Sequence, residues 1–537
     1  MSISGGSLAG ARALSRFSLQ RDRILLPAWL YPTFVIALSG AYGIKLLYKT
    51  PASRARVAAT VRSDQALSFL YGQLHGTSTG ALVSWRYLTY GALFAGLMSI
   101  FLVIRHTRAD EETGRLELVG SAPVGRHAAL TVAVAIAVLA NVIAAALAVA
   151  VLSISGLPVA GAVAYGLAQA GCGLSMAALA AITAQVSGTA RGARGLAITV
   201  LAVAFLLRAV GDSGVRHGLS FLTWLSPIGW AELMRPFAGD RWWVLAVPAA
   251  GFLIGLAGAF ALAAHRDYGA GLVEPRPGPP AAGAMLAGPA GLAWRLQRGA
   301  LAGWATGSLV AGLAIGVVGN GIGKLIGSGG EMQKALEQIA GQHALTDAYL
   351  ASCIGLMALV TAAYSVSAVL RLRSEETDQR AEPVLAAAVG RLRWAGSHLV
   401  VVLGGTAVVL VAAGIGMALG YGASISDPGG QLPGLIGAAL AQLPAALIVA
   451  AIAAAAFGLL PRWCAAVGWT ALGICGFIGL FGPALQLPQA VLDLSPFTHA
   501  PKLPGGTLSA APLAWLTLIA LGLTAAGLAG LRRRDIG

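Results

Sequence analysis

The sequence predicts an all-α, polytopic membrane protein with about twelve transmembrane helices. Only 11% of its 537 residues are charged, whereas a soluble domain has about 25%. Hydrophobic residues make up 57% of the chain, and the mean hydropathy is +0.77. Too few charges remain to cover a water-facing surface, so lipid must be the solvent for much of the protein.

The apolar residues are grouped into stretches of membrane-spanning length. A helix needs about 20 consecutive apolar residues to cross the hydrocarbon core of a bilayer. Twelve such stretches are present, six in each half: residues 24–44, 85–104, 128–153, 159–184, 195–211, 242–264, 299–320, 349–370, 398–420, 434–460, 464–482 and 512–531. Because six is even, the two halves should run in parallel, related by an axis along the membrane normal.

The predicted organisation is two six-helix halves joined by a linker. The first half covers residues 1–270 and the second covers residues 291–537. Residues 271–290 between them are rich in Pro and Gly, which favours a cytoplasmic linker. Residues 9–23 place three arginines on one helix face, which predicts an interfacial N-terminal helix lying in the headgroup plane.

The distribution of Lys and Arg predicts the orientation. With the N-terminus inside, most of the 36 basic residues lie in segments that would be cytoplasmic. The positive-inside rule therefore places both termini in the cytoplasm. The basic stretch 45–62 falls on the outer side and is the exception. The net charge of +15 thus reflects membrane topology, and we expect no nucleic-acid partner.

An internal repeat is the most informative feature of the sequence. Residues 111–126 read EETGRLELVGSAPVGR, and residues 375–391 read EETDQRAEPVLAAAVGR, with one inserted residue. Both segments follow the second span of their half. Two weaker matches keep the same order, Leu19–Arg21 with Leu296–Arg298 and Leu225–Pro227 with Leu494–Pro496. This pattern indicates gene duplication and fusion.

No energy-converting or catalytic chemistry is visible within the predicted spans. All Asp, Glu and His residues fall in loops or at span ends, and Arg208 is the one deep charge, which we expect to snorkel outward. A proton-driven transporter normally needs an embedded carboxylate or histidine. The sequence also lacks a P-loop, a nucleophilic triad and metal-ligand spacing. We therefore predict no catalytic, cofactor-binding or metal-binding residues, and an energy source outside this chain.

The repeated acidic–basic segments have two open interpretations. Each is either an ordinary solvated loop or a short helix that docks on a cytosolic partner. In a helix, Glu111 and Arg115 would pair at i, i+4 spacing. Two equivalent copies would suit a two-fold partner such as a dimeric ATPase.

The repeated Ser-Pro elements lie before the last span of each half, on the predicted outer side. Pro biases the residue before it away from helix. Each element is either a plain loop or a broken pair of short helices that closes the outer mouth. The outer-gate candidates are Ser226, Pro227, Trp230, Ser495 and Pro496.

The segment EETGRLELVGSAPVGR after the second span resembles the cytoplasmic coupling segment of ABC-type exporter permeases of the second exporter type. The basic N-terminal helix and the Ser-Pro element resemble the same family. The fused, duplicated form is similar to the tetronasin-type antibiotic exporter permeases of actinobacteria. The resemblance implies a permease in the bacterial cytoplasmic membrane that exports hydrophobic or amphipathic compounds. Two copies of a separate cytosolic ATPase would bind ATP and Mg, with no cofactor in this chain.

The resemblance also implies roles for particular residues. Coupling to the ATPase would involve Glu111, Glu112, Gly114, Arg115, Glu117, Pro123, Arg126, Glu375, Glu376, Glu382 and Arg391. The substrate path would run between the halves past Trp29, Tyr31, Phe94, Met98, Phe101, Phe205 and Tyr364. Asp378 replaces Gly114 and Ala388 replaces Pro123, so the second coupling segment should be engaged less tightly.

Two other classes compete with this interpretation. A twelve-span secondary transporter of the major facilitator type also has two parallel halves and a charged loop after its second span. The absence of embedded acids counts against it. A membrane enzyme acting on lipid-linked substrates usually shows clustered acids or histidines at the membrane surface, and the sequence contains no such cluster.

Overall fold

The computed structural model describes residues 7–534 with several gaps. The residues outside the description are 1–6, 64, 116–123, 216–217, 268, 274–280, 282, 284–285, 287, 327–343, 388, 428, 482–486 and 535–537. The chain divides into two compact units, Met1–Pro277 and Gly278–Gly537. The predicted linker over 271–290 lies mostly outside the described residues.

The first unit is helical throughout its described part. Its helices are α1 (Ala11–Arg21), α2 (Leu25–Leu47), α3 (Pro51–Ser63), α4 (Gln65–Tyr71), α5 (Thr79–Ile104), α6 (Asp110–Glu112), α7 (Ala128–Ile154), α8 (Val159–Val186), α9 (Ala190–Ser213), α10 (Phe221–Trp224), α11 (Pro227–Leu233) and α12 (Ala246–Ala264). A π-helical turn, Arg105–Ala109, joins α5 to α6, and a 3₁₀ turn, Trp242–Leu245, leads into α12. Helix α8 packs against α5, α7 and α12 and is the best-buried helix of this unit.

The second unit is built in the same way. Its helices are α13 (Pro289–Ile326), α14 (Ala344–Thr377), α15 (Ala381–Ala386), α16 (Arg391–Ser424), α17 (Leu432–Leu440), α18 (Leu443–Leu459), α19 (Cys464–Phe481), α20 (Gln489–Leu492) and α21 (Ala510–Arg533), with a 3₁₀ turn at Pro496–Thr498. Helix α13 packs along α16, and α18 packs against α14 and α21.

These helices confirm the predicted fold class. Within the described part of the chain, eleven helices are long and apolar enough to cross a membrane. The twelfth predicted stretch, 464–482, is present as the shorter apolar helix α19. The chain is therefore an all-α, multi-pass membrane protein. Several helices extend beyond the predicted spans, because polar residues at their ends can stay helical while they face the headgroups or other protein groups.

Glycines allow the closest helix contact in the second unit. Gly312 and Gly316 on α13, and Gly416 and Gly420 on α16, lie at i, i+4 spacing where the two helices meet. A Cβ atom at Gly416 would overlap the carbonyl oxygen of Leu309 on the facing helix. Small residues thus bring the two backbones into direct contact, and this packing drives helix association where no water is displaced.

Helix α1 (Ala11–Arg21) lies within residues 9–23, where the sequence predicts an N-terminal helix, and its place in the headgroup plane stays a prediction. Arg12, Arg16 and Arg23 are exposed, whereas Leu14 and Leu19 pack against a cluster that contains Met98. Hydrophobic contacts therefore hold α1 on the first unit and leave its basic face open.

Candidate functional site

The first charged segment comprises residues 105–115, where α5 gives way to the π-helical turn and α6. Arg108 in this turn is buried, at 1% exposure. Its guanidinium donates to Glu111 Oε2 over 2.8 Å, to the Gly188 carbonyl over 2.7 Å and to the Gly269 carbonyl over 3.1 Å. One side chain thus joins the end of α5 to the loop before α9 and to the chain that follows α12.

Glu111 is the centre of this segment and points inward. Its side chain is 5% exposed. Both carboxylate oxygens lie 3.0 Å from Arg266 Nη2, and Oε1 also accepts the Gly269 amide over 2.7 Å. Arg266 follows the last helix of the first unit. Glu111 therefore ties the first charged segment to that helix end.

The predicted Glu111–Arg115 pair is wrong. Arg115 instead lies 3.5 Å from Asp110. Helix α6 ends at Glu112, and Gly114 has a φ of +68°, a left-handed conformation that glycine adopts readily. The chain turns away before Arg115, so i, i+4 spacing no longer places the two side chains together.

The neighbouring coupling candidates contact the start of α9 and the end of α12. Glu112 Oε1 accepts the Ala190 amide over 2.8 Å at the start of α9, where the helix dipole favours a negative charge. Arg126 donates to the carbonyls of Ala263, Ala264 and Arg266 at the end of α12. Two further candidates, Glu117 and Pro123, lie outside the described residues.

A second set of ion pairs attaches α1 to the first charged segment. Arg21 pairs with Asp110 over 2.8 Å. Asp22 is fully buried and accepts from Arg105 over 3.0 Å, and its other oxygen lies 2.5 Å from His106 Nε2. The sequence did not reveal these ion pairs, because each of their residues resembles an ordinary charge at a span end.

The second charged segment comprises residues 371–380 and contains the second EET triplet. Glu375 pairs with Arg371 over 2.7 Å and with Arg380 over 3.2 Å. Glu376 pairs with Arg373 over 3.4 Å and accepts two hydrogen bonds from Arg534, over 2.7 and 2.9 Å. Arg534 follows the last helix of the second unit, as Arg266 does in the first.

The residues that differ between the two charged segments change how the chain turns after the second EET triplet. The inserted residue Gln379, with a φ of +57°, adopts the left-handed conformation that Gly114 has in the first segment. The Arg380 and Gln379 amides donate to the Glu375 and Glu376 carbonyls, which closes the end of α14. Ala388 lies outside the described residues.

The remaining candidates of the second segment are near its edge. Glu382 is exposed in the first turn of α15. Arg391 begins α16 and donates to the Arg534 carbonyl over 2.7 Å. Arg534 is thus held both at its side chain and at its backbone.

The Ser-Pro elements form short helices, in agreement with the broken-helix alternative. Ser226 is buried, caps α11 by accepting the Gly229 amide over 3.2 Å, and precedes Pro227 at the start of that helix. Trp230 donates from Nε1 to the Trp224 carbonyl over 2.6 Å, which folds α11 back on α10. The second element has the buried residues Ser495 and Pro496 between α20 and the 3₁₀ turn.

The expectation that Arg208 snorkels outward is wrong. Its side chain is completely buried in α9 and donates to the Phe69 and Leu70 carbonyls over 3.2 Å each. Asp212 lies 3.9 Å from the guanidinium and Glu232 lies 3.6 Å away. Asp212 is the second-last residue of α9 and Glu232 lies on the short helix α11, and both acids pack beside this buried guanidinium.

The substrate-path candidates lie in different surroundings. In the first unit, Trp29 and Phe101 make a tilted ring contact with centroids 5.4 Å apart, beside the fully buried Met98. Tyr31 is 67% exposed and Phe94 is half-buried. Two others are engaged elsewhere: Phe205 lies under the Arg208 guanidinium, and Tyr364 is buried 6.2 Å from Trp304 in the second unit.

Comparison with known proteins relates the whole chain to one transport system. Residues 286–532 match the family model described as the multidrug efflux system permease Rv1217c, C-terminal domain. The chain is 41% identical to the multidrug efflux system permease protein Rv1217c of Mycobacterium tuberculosis over 536 residues, which is 99% of this chain and 96% of that protein. The relationship indicates a transport permease rather than an enzyme, and it does not favour the major facilitator alternative. The chain therefore belongs to the family of the multidrug efflux system permease Rv1217c.

Proposed function

We propose that this chain is the membrane-spanning subunit of an ATP-driven exporter of the ABC type. It moves hydrophobic or amphipathic small molecules, such as antibiotics, out of the cell across the bacterial cytoplasmic membrane. Two copies of a separate cytosolic ATPase supply the energy and bind ATP and Mg. The relative's description as a multidrug efflux permease supports the transport role, and the absence of a P-loop from the sequence supports a separate energy source.

The observation that carries this proposal is a pair of ionic clamps, one in each unit. We define the first clamp as Glu111 with Arg108 and Arg266, and the second as Glu376 with Arg534. Each clamp joins the charged segment after the second span to the end of the last span of the same unit. A displacement of either segment is thereby transmitted to a membrane-spanning helix, which is the mechanical connection that an ATPase acting from below requires.

The clamps separate two roles within the coupling candidates. Glu111 and Glu376 have side chains only 5% and 4% exposed, so they transmit movement and do not meet a partner. Arg115 is 58% exposed and Arg380 is 48% exposed. These arginines have the accessibility and charge to contact an acidic surface of the ATPase.

The substrate would leave through the aromatic region and the outer gate. Trp29 and Phe101, packed on the buried Met98, offer an apolar, aromatic surface with no charge to select one ligand, which suits a wide range of hydrophobic compounds. The Ser226–Pro227 turn and Trp230 would close the path on the outer side. Both roles depend on the proposed outward direction of transport.

Copurification and energy dependence test the proposal. The full chain is expressed with the ATPase genes of its host, purified in detergent and assayed for drug export in vesicles. A stoichiometric ATPase should copurify, and export should stop on ATP depletion but persist when a protonophore collapses the proton gradient. Export that collapses with the gradient and ignores ATP depletion would overturn the assignment.

Docking is tested by substituting the exposed arginines. Arg115→Ala combined with Arg380→Ala should weaken ATPase binding by about tenfold, equivalent to about 1.4 kcal/mol. Arg462→Ala is the matched control, because Arg462 is also exposed on the predicted cytoplasmic side but lies outside both charged segments. Equal binding by the double variant and the control would contradict this docking site.

A further inference from the structure

A buried charge cluster connects three parts of the first unit. Arg208 and Asp212 belong to α9, and Glu232 belongs to α11 of the first Ser-Pro element. Arg208 is 0% exposed, and the side chains of Asp212 and Glu232 are 9% and 12% exposed. Thr89 on α5 donates to Glu232 Oε1. The cluster therefore holds α5, α9 and the Ser-Pro element together.

The hydrogen bonds of this cluster leave two acceptors without a donor. Thr223 supplies Asp212 Oδ1 over 3.0 Å. The Arg208 hydrogen bonds go to backbone carbonyls, and its nearest contacts with the carboxylates, 3.6 and 3.9 Å, exceed hydrogen-bond length. Asp212 Oδ2 and Glu232 Oε2 are buried, and no donor from the described part of the chain reaches either atom. Both carboxyl groups nevertheless approach the same atom, Arg208 Nη1, which brings them to one point of the cluster.

The charge balance of the cluster, like its hydrogen bonds, indicates that one proton is missing from Asp212 and Glu232 when both are ionised. Two ionised carboxylates beside one guanidinium would leave a net charge of −1 in a site that excludes most water. Burying an uncompensated charge is unfavourable by several kcal/mol, and two close carboxylates avoid it by retaining one proton between them. A single proton on this pair supplies the missing donor and makes the cluster neutral.

Among the residues described, no other cation forms an ion pair with Asp212 or Glu232. The side chains that face the cluster from the adjoining helices and loops, among the residues described, are Tyr71, His75, Arg86, Tyr90 and Arg235. Arg86 is engaged over the Tyr71 ring, 5.2 Å from its centroid. His75 and Arg235 line a small cavity that Glu232 also lines.

We propose that Asp212 and Glu232 form a proton-binding site that shares one proton near neutral pH. Arg208 balances the remaining charge. The bound proton fastens the Ser-Pro element to α9 and α5, and its loss leaves the net charge of −1 that favours their separation. The site is distinct from the charged segments and does not depend on the identity of the energy source.

Infrared spectroscopy of the purified full chain in detergent tests the proposal. The wild type should show, near neutral pH, a protonated-carboxyl absorption of one group per chain that shifts in D₂O and disappears under alkaline conditions. D212N and E232Q should each lose it, because the remaining carboxylate then pairs with Arg208 alone. D427N, which removes an exposed carboxylate from a loop of the second unit, should retain it.

Each outcome bears on the proposal. Absence of the absorption from the wild type overturns it, and so does its survival in either D212N or E232Q, because the proton would then belong to one carboxyl group. Both substitutions preserve shape, and the new amide can donate the missing hydrogen bond, so both variants should fold. If one does not elute as a folded protein in gel filtration, the other variant decides alone. ATPase binding and export do not enter this measurement, so its failure leaves the proposed function standing.

Discussion

The two charged segments begin with the same EET triplet but use it differently. In the first, Glu111 holds Arg108 and Arg266, and neighbouring ion pairs reach α1. In the second, Glu375 makes pairs within its own segment, and Glu376 holds Arg534. The glutamate that reaches the last helix is thus the first of the triplet in one unit and the second in the other.

The duplication has therefore retained the connection between the charged segment and the end of the last span, but not the individual residue pairs that make it. In both units a buried carboxylate binds an arginine that follows the last span, yet the partner residues lie at different positions of the repeat. The ion pairs that attach α1 to the first segment have no counterpart in the sequence of the second unit. Gly299 occupies the position that matches Asp22 and has no side chain to accept a hydrogen bond. Among the described residues, the first segment is therefore tied to more of its unit than the second.

The largest expected effect is a difference in protein stability between alanine substitutions in the two charged segments. Glu111→Ala leaves Arg108 buried without a carboxylate, which should destabilise the protein by about 3–5 kcal/mol. Glu375→Ala should lower stability by only about 1 kcal/mol, because its partners Arg371 and Arg380 are 18% and 48% exposed and water can solvate them better than Arg108. Denaturant unfolding of the purified protein in detergent measures both. Equal losses would show that the first segment is not the more tightly held.

A smaller effect distinguishes the two clamp arginines by geometry. Arg534 binds both oxygens of Glu376 through two nitrogens and lies over the Phe457 ring, whereas Arg266 reaches Glu111 through one nitrogen. Arg534→Lys should therefore lower stability by about 1–2 kcal/mol, since an ammonium cannot reproduce the fork. Arg266→Lys should lower it by less than about 1 kcal/mol.

The exposed Arg533 supplies the control for this comparison. Arg533→Lys makes the same chemical change one residue earlier and should alter stability by no more than about 0.5 kcal/mol. Thermal unfolding of the three variants ranks them. An Arg266→Lys loss larger than that of Arg534→Lys would remove the geometric distinction between the clamps.

The smallest expected effect concerns pH and the loop before α5. Burial, with Arg235, Arg241 and Arg62 nearby, lowers the pKa of His75 from 6.5 to about 4. Between these values the unfolded chain binds a proton that the folded chain does not. Stability should therefore fall as the pH drops from 6.5 towards about 4.

His75→Asn should flatten this part of the profile of unfolding midpoint against pH. His499→Asn is the control, because His499 is exposed in the second unit. A profile that keeps its slope in His75→Asn, or loses it in His499→Asn, would assign the acid sensitivity to another group.

The sequence predicted the helices better than it predicted the contacts between them. Span positions follow from hydropathy because lipid requires long apolar helices, and patterning predicted α1. For the Ser-Pro elements, the sequence left a plain loop and a pair of short helices open. Arg208 was misjudged because a linear sequence shows its distance from the span ends but not the carbonyls and acids that fold onto it. The Glu111–Arg115 pair failed because the helix ends between the two residues.

By itself, the sequence determined that this is an all-α membrane protein, that it contains a repeat, and that its acidic triplets follow the second span of each half. These properties depend on composition and on the order of residues. Only the tertiary structure decided that Glu111 meets Arg266 and Glu376 meets Arg534, partners that are 155 and 158 residues apart. It also placed Asp212 and Glu232 beside Arg208. Such pairings depend on which helix ends meet in space. Hydropathy reports which residues of one span are apolar and does not report which helix ends are neighbours.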